Sequence, residues 1–319
     1  MSIAIMTSGG DSAGMNPAVK RFVDYSLERG ERPFLIHDGL RGLLEDKVVP
    51  AEKSIVSGII HRGGTVLGSS RSKDFRDAGL RPWAYDNLLK RGINKLVIVG
   101  GDGSFNAGRI MSEECAIRVA GIPATIDNDI PGTDYCLGVD TALNVIRQAI
   151  DDIRDTAASF GRAFVVETMG RHCGYLAAVS ALTSGAELCL IPEVTFDLTS
   201  AAKRLQNDIR GGRRYAIAVV AEGVGGCDKI VKWFEDEIGM ESRASALGHI
   251  QRGGSPTVFD RRMGFLFATA AVDALCSGQS GVVTVANGGK VNLAPIQDIA
   301  STTYQMDPYI LKMVSRLSR

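Results

Sequence analysis

Few aromatic residues, no excess charge of either sign and no long apolar run set the first limits on this chain. Phe, Trp and Tyr make up 6% of it, and neither Trp83 nor Trp233 has sequence neighbours that suggest a stacking platform for bases. Lys and Arg number 36 against 36 Asp and Glu, so no global basic field exists to hold nucleic acid or an anionic membrane. Any selectivity for anions has to come from local clusters. No apolar run reaches the roughly 18 residues that a membrane helix needs. The first residues, MSIAIMTSGGD, lack the charged and long apolar regions of a signal peptide. The six cysteines, at 115, 136, 173, 189, 227 and 276, include no CxxC pair, which predicts free thiols in a reducing cytoplasm.

What is present is ordinary globular material, 45% hydrophobic and 23% charged over 319 residues. At ~100–200 residues per domain, two domains are favoured over one or three. Short apolar runs rich in β-formers recur at Ile3–Met6, Pro33–His37, Leu96–Val99, Val119–Ile122, Phe164–Val166, Leu188–Ile191, Ala216–Val220 and Val282–Val285. Between them lie segments of helical period. Ala142, Val145, Ile146, Ala149, Ile150 and Ile153 mark one face at steps of three and four. Asn16-Pro17 opens another helix and Gly30 closes it. This alternation predicts α/β layers with parallel sheets. No Pro-, Ser- or Gly-rich linker divides the chain, so it is expected to cross between its domains more than once, with the site in the cleft between them.

Three glycine-rich segments follow predicted strands. Gly9 to Gly14 has Walker-A spacing, but Met15-Asn16 stands where Lys-Ser/Thr is needed, and the G-x-G-x-x-G dinucleotide pattern is absent. Such a turn before a helix still offers N–H groups and a positive dipole end to an anion. Gly100-Gly101-Asp102-Gly103-Ser104 puts a carboxylate between glycines, a place for Mg²⁺ beside phosphates. In the third segment Asp127 and Asp129 flank one residue, and in extended chain both face one side. Such a pair can divide proton transfer from metal binding; two solvated loop acids are the plainer alternative. The later half holds Arg162, Arg171, Arg243, His249 and Arg252 near glycines or strand ends. Together they suit a sugar phosphate, because the guanidinium fork matches phosphate oxygens; singly, each is more often a surface ion pair.

At seven points the chain resembles the bacterial 6-phosphofructokinases: SGGDSAGMN at the start, HRGGTVLGSSR at 61–71, GGDGS at 100–104, PATIDNDIPGTD at 123–134, ETMGRHCGY at 167–175, AEG at 221–223 and GHIQRGGSP at 248–256. The resemblance implies two Rossmann-like domains with mostly parallel sheets flanked by helices. A larger, nucleotide-binding domain would take 1–138 and 251–300. A smaller one for fructose 6-phosphate would take 139–250 and 301–319. It also implies ATP as co-substrate with Mg²⁺. Asp127 would be the base for the sugar 1-hydroxyl, Asp102 the metal carboxylate and Asp129 its support, with Thr125 and Arg171 at the transferring phosphoryl. Gly10, Arg71, Ser72, Gly101, Gly103 and Ser104 would line the nucleotide. Arg162, Arg243, His249 and Arg252 would hold the 6-phosphate, and Met169, Gly170 and Glu222 the sugar. Arg162 and Arg243 would reach in from a neighbouring subunit of a tetramer.

Departures from the family pattern concern regulation and the nucleotide base. Arg154, Glu187 and Arg213 match the family's effector site, but Lys20 and Lys53 stand where arginine is usual, and Asp24 and Gly211 replace cations. Leu40 and Ser72 replace aromatic rings near the nucleotide, and Ala124 replaces a common glycine. Two other readings stay open at this point: pyrophosphate as the donor, and a non-catalytic subunit on the same fold.

Overall fold

A computed structural model of the protein describes residues 2–70, 72 and 74–319; Arg71, one of the nucleotide candidates, lies outside the described residues. The chain forms two compact units. The first comprises Met1–Ile126, Ile130–Thr141 and Arg252–Tyr304, and the second Asp127–Asp129, Ala142–Gln251 and Gln305–Arg319.

The first unit is built on strands β1 (Ser2–Thr7), β2 (Arg32–Ile36), β3 (Val48–Pro50), β4 (Ile93–Gly100), β5 (Arg118–Pro123), β10 (Val282–Asn287) and β11 (Lys290–Pro295). Their order is β11-β10-β5-β4-β1-β2-β3. The five inner strands run parallel, and only the edge strands β3 and β11 are antiparallel to their neighbours. Alternate residues of these strands enter separate cores, because successive side chains point to opposite faces. Ile3, Ile5, Val97 and Val99 pack with Phe22 and Phe267 from helices Met15–Glu28 and Val258–Cys276. Ala4, Met6, Leu96 and Ile98 pack with Leu88 and Met111 from helices Arg81–Leu89 and Asp102–Glu114. Both faces are covered, which is why these strands read as unbroken apolar runs. The strand order reverses between β1 and β4, so the loops leaving their carboxyl ends flank the switch point where open α/β sheets bind ligands.

The second unit has a four-stranded, all-parallel sheet of β6 (Ala163–Thr168), β7 (Leu188–Leu190), β8 (Ala216–Ala221) and β9 (Ser242–Ala246), in the order β7-β8-β6-β9. Val165, Ala218, Val220 and Leu190 pack with Leu205, Ile230 and Phe234 on one face. Among the described residues no helix is long and apolar enough to cross a membrane.

One carboxylate is deeply buried in the first unit's framework. Asp260, in the first turn of Val258–Cys276, accepts from the Gly138 N–H and from the Thr141 N–H at 2.8 Å each, and from the Thr141 hydroxyl at 2.5 Å. The helix is capped by Thr257, whose side chain accepts from the Asp260 N–H. Burial pushes the Asp260 carboxyl up to about 6, against the lowering by Thr141 and Gly138 and with a small further push from Asp140. A folded-state value above the unfolded one makes the proton stabilising. That contribution is complete at pH values below the unfolded carboxyl's range and is lost as pH rises through about 6. Asp260→Asn removes this linkage. Its melting temperature relative to the natural protein should therefore be higher at pH 7 than at pH 4.5; a difference that does not change with pH contradicts the assignment.

Candidate active site

Each turn singled out in the first unit leaves the carboxyl end of a parallel strand. Register aligns Thr7 with Val99 and Gly100 with Pro123, so the turns after β1, β4 and β5 start level. Backbone bonds tie them together: the Ser8 N–H donates to the Val99 carbonyl and the Ala124 N–H to the Gly100 carbonyl, each at 2.9 Å. The Ser104 hydroxyl donates to the Ser8 carbonyl at 3.1 Å, which fixes the GGDGS turn to the first. The helices that follow, Met15–Glu28 and Asp102–Glu114, start at Gly14 and Gly101 with no side-chain cap. Their first-turn N–H groups face the loops, the arrangement that suits phosphate.

The 61–71 motif wraps this turn region. The Thr7 hydroxyl donates to the Gly68 carbonyl at 2.7 Å, the Ser69 hydroxyl to the Gly9 carbonyl at 2.8 Å, and the Ser70 hydroxyl to the Asp38 carbonyl at 2.6 Å. Asn16, buried, donates to the Arg62 carbonyl and accepts from the Val66 N–H. Ser72 accepts from the Phe75 N–H at 3.2 Å and caps a short helical turn. Two glycines differ in what holds them. A Cβ at Gly10 would lie 2.7 Å from the Arg252 guanidinium, whereas one at Gly103 would meet nothing within 4 Å. The protein's own packing therefore does not require glycine at 103. Arg252 belongs to the first unit, 3.7 Å from Asp11 and against Gly10.

Asp102 is exposed at its helix start. Among the described residues no group of three or more His, Cys, Asp or Glu is gathered for a metal. One exposed carboxylate beside N–H groups suits a Mg²⁺ that arrives on a nucleotide and keeps most of its waters, rather than a caged ion.

In the second unit, Asp127 is 3% exposed, and its Oδ2 lies 3.5 Å from Nε of the half-exposed Arg171. Two non-glycine residues here, Asn128 (φ 51°) and Arg171 (φ 53°), hold left-handed backbone. Such strain persists only where surroundings impose it, and it gathers at functional sites. Glu222, after β8, supplies part of that constraint: its Oε1 accepts from the Gly170 N–H at 3.1 Å and the Arg171 N–H at 2.7 Å. Gln251 accepts from the Met169 N–H and donates to the Gly248 carbonyl. Cys173, on the same turn, is pushed up to about 12, chiefly by burial, with the Glu193, Asp129 and Asp127 carboxylates adding to it. It is a neutral thiol at physiological pH, not a nucleophile.

The candidate sugar-phosphate cations occupy three settings. Arg171 pairs with Asp127, and Arg252 lies by Gly10. Arg162 and Arg243 share one carboxylate, Glu241, whose two oxygens take Arg162 Nε at 2.8 Å and Arg243 Nη2 at 2.5 Å. Glu241 was not singled out from the sequence; only its place one residue before Ser242-Arg243, on an unrecognised strand, hinted at it. His249 is exposed.

Most of the effector candidates are likewise engaged. Lys20 pairs with Asp24 at 2.8 Å and Lys53 is exposed. Arg154 donates to the Ser184 carbonyl. Glu187, buried, accepts from Arg213 and from the Ile217 N–H at 2.7 Å. Of these only Arg213 lines a groove of about 630 Å³, with Asp208, Gly211, Arg214 and Tyr215 among its other walls.

Residues 2–275 match the phosphofructokinase family. A Wolinella succinogenes protein named ATP-dependent 6-phosphofructokinase is 52% identical over 318 residues, 99% of each chain. A Sulfurovum sp. protein of the same name is 52% identical over 313 residues, 98% of this chain and 96% of that one. Phosphofructokinase from Saccharomyces cerevisiae has a similar structure, with a TM-score of 0.89 at 29% identity over 93% of this chain and 44% of the yeast chain. This chain thus spans under half the yeast chain's length.

The Glu222 anchor is open to direct test. Glu222→Ala removes the acceptor from two backbone N–H groups, so amide exchange in the peptide around Met169–Arg171 should speed up markedly. Unchanged exchange there contradicts the anchoring role.

Proposed function

The chain belongs to the phosphofructokinase family, and from that premise we propose how its residues divide the work of an ATP-dependent 6-phosphofructokinase. The reaction moves the γ-phosphoryl group of ATP to the 1-hydroxyl of fructose 6-phosphate, giving fructose 1,6-bisphosphate and ADP. It brings together two anions, so charge compensation and alignment supply most of the catalysis.

The turns after β1 and β4 take the nucleotide phosphates. Gly10, Gly101 and Gly103 offer backbone N–H groups, and Ser104, Ser72 and Arg71 are the further nucleotide ligands proposed. Mg²⁺ entering on ATP would be held by Asp102, with Asp129 in support, and would offset phosphate charge. Asp127 takes the proton from the 1-hydroxyl. Thr125 and Arg171 stabilise the phosphoryl in transit. Met169, Gly170 and Glu222 hold the sugar; one Glu222 oxygen anchors the loop and the other is left for a hydroxyl. Arg162, Arg243, His249 and Arg252 hold the 6-phosphate, which must draw Arg162 and Arg243 from Glu241.

The observation that carries this reading is Asp127 itself: a carboxylate only 3% exposed, 3.5 Å from an arginine, on a strained turn. A solvated loop acid would show none of these features. Gly103 favours ATP as donor. An acidic side chain there would fit the protein but set a second negative charge against the nucleotide. The assembly proposed is a homotetramer in the cytoplasm, with Arg162 and Arg243 serving a neighbouring subunit. Effector control at Lys20, Lys53, Arg154, Glu187 and Arg213 should be weak, because Asp24 neutralises Lys20.

Asp127→Ser tests the base. Turnover should fall by ~10²–10⁴-fold or more, while fructose 6-phosphate still binds in equilibrium titration. Near-normal turnover would reject the assignment.

A further inference from the structure

We infer that Asp260 is a positioning residue for phosphoryl transfer: it locks the chain that returns from the Asp127 turn onto the first glycine turn. The inference rests on the proposed role of Asp127 and adds a residue that never meets substrate.

The geometry lies within the first unit. Beyond Asp127–Asp129 the chain runs from Ile130 to Gly138 before entering the long helix Val139–Phe160, whose first residues, to Thr141, still belong to the first unit. The Leu137 N–H donates to the Pro123 carbonyl at 2.9 Å and closes the neck of the loop at the end of β5. At the next residue Asp260 takes over. One oxygen accepts from the Gly138 N–H, and the other from the Thr141 N–H and hydroxyl. Gly138 has φ +96°, and a Cβ there would fall 2.5 Å from the Ser12 Cβ and 2.9 Å from the Ala13 carbonyl. The end of this loop and the first glycine turn are thus butted backbone to backbone. From the other side, a Cβ at Gly14 would stand 3.5 Å from Asp260 Cβ. Asp260 thus lies against both the end of the loop and the first glycine turn.

The fastening is interlocked. The Thr257 N–H donates to the Thr141 hydroxyl at 3.1 Å, and the Thr257 hydroxyl donates to Asp140 at 2.5 Å. The start of helix Val258–Cys276 and the start of Val139–Phe160 therefore satisfy each other's first-turn donors, which neither helix can do alone. Ionised, as it is well above pH 6, Asp260 meets all three donors with its two oxygens, whereas an amide turns its own N–H₂ toward one. The first glycine turn and the chain that leads away from Asp127 share this bolt within the first unit. Slack in it loosens the turn proposed to take the donor phosphates, and displacement of about 1 Å at a reacting group costs on the order of 10²-fold in rate.

The test is Asp260→Asn, assayed at pH 8 beside Asp127→Ser, with far-UV circular dichroism and a melting curve for each. We expect a cooperative melt, kcat at least about tenfold below the natural protein, and KM for ATP and for fructose 6-phosphate within about threefold of it. A folded variant with kcat within twofold overturns the inference. So does a loss that appears in KM rather than kcat, or one that merely follows the fraction unfolded. If Asp260→Asn does not fold, Thr141→Val decides. It removes one donor to Asp260, and with it the acceptor of the Thr257 N–H, at nearly the same volume, and should lower kcat several-fold with KM unchanged; full kcat overturns the inference. An inactive Asp127→Ser beside a fully active Asp260→Asn rejects only the positioning role. Near-normal Asp127→Ser turnover rejects the base assignment and this inference with it.

Discussion

Parallel strands end together, and the chemistry of this protein depends on that constraint. A strand that runs parallel to its neighbours delivers its outgoing loop to the same edge as theirs. In the first unit that edge gathers the turns after β1, β4 and β5. In the second it gathers Met169–Arg171 after β6, Glu222 after β8 and Gly248–Gln251 after β9. Neither set was brought together by sequence proximity. Burial of both sheet faces makes the strands rigid, and hydrogen bonds between loops then limit where each turn can go.

The loops are held by polar groups that face inward rather than toward substrate. Ser104 bonds to the Ser8 carbonyl, Glu222 to two N–H groups of the Arg171 turn, and Asp260 to Gly138 and Thr141. A substrate phosphate or hydroxyl supplies its own charge and hydrogen bonds only during turnover, so the turns need anchors that are always present. Strain at Asn128 and Arg171 indicates how tightly the second unit's turn is constrained.

Much of this was legible in the sequence because burial writes a pattern. The eight apolar runs correspond to β1, β2, β4, β5, β6, β7, β8 and β10. The strands that escaped, β3, β9 and β11, all lie at sheet edges and carry exposed or polar residues such as those of SRASA and KVNLAP. Half-paired strands need no apolar run, so periodicity does not reveal them. Motifs exposed Asp127, Asp102 and the arginines, because glycine and charge in close spacing stand out. Glu241 and Asp260 did not stand out, since each acts through partners far away in sequence: Arg162 for one, Gly138 and Thr141 for the other. An isolated acid just before an edge strand or in a first helical turn looks like ordinary solvated surface until the fold is known.

Two positions near the glycine turns bear on the donor. Gly103 leaves space that the protein does not fill, and Ala124 is buried without offering a cation. Both suit a nucleotide whose α-phosphate must pass close to backbone, and neither suits a small diphosphate that needs compensating charge. The most direct test is turnover of fructose 6-phosphate with saturating Mg-ATP and with pyrophosphate, measured in parallel on one preparation by formation of fructose 1,6-bisphosphate. The account predicts sustained turnover with Mg-ATP and little or none with pyrophosphate. Faster turnover with pyrophosphate would contradict it.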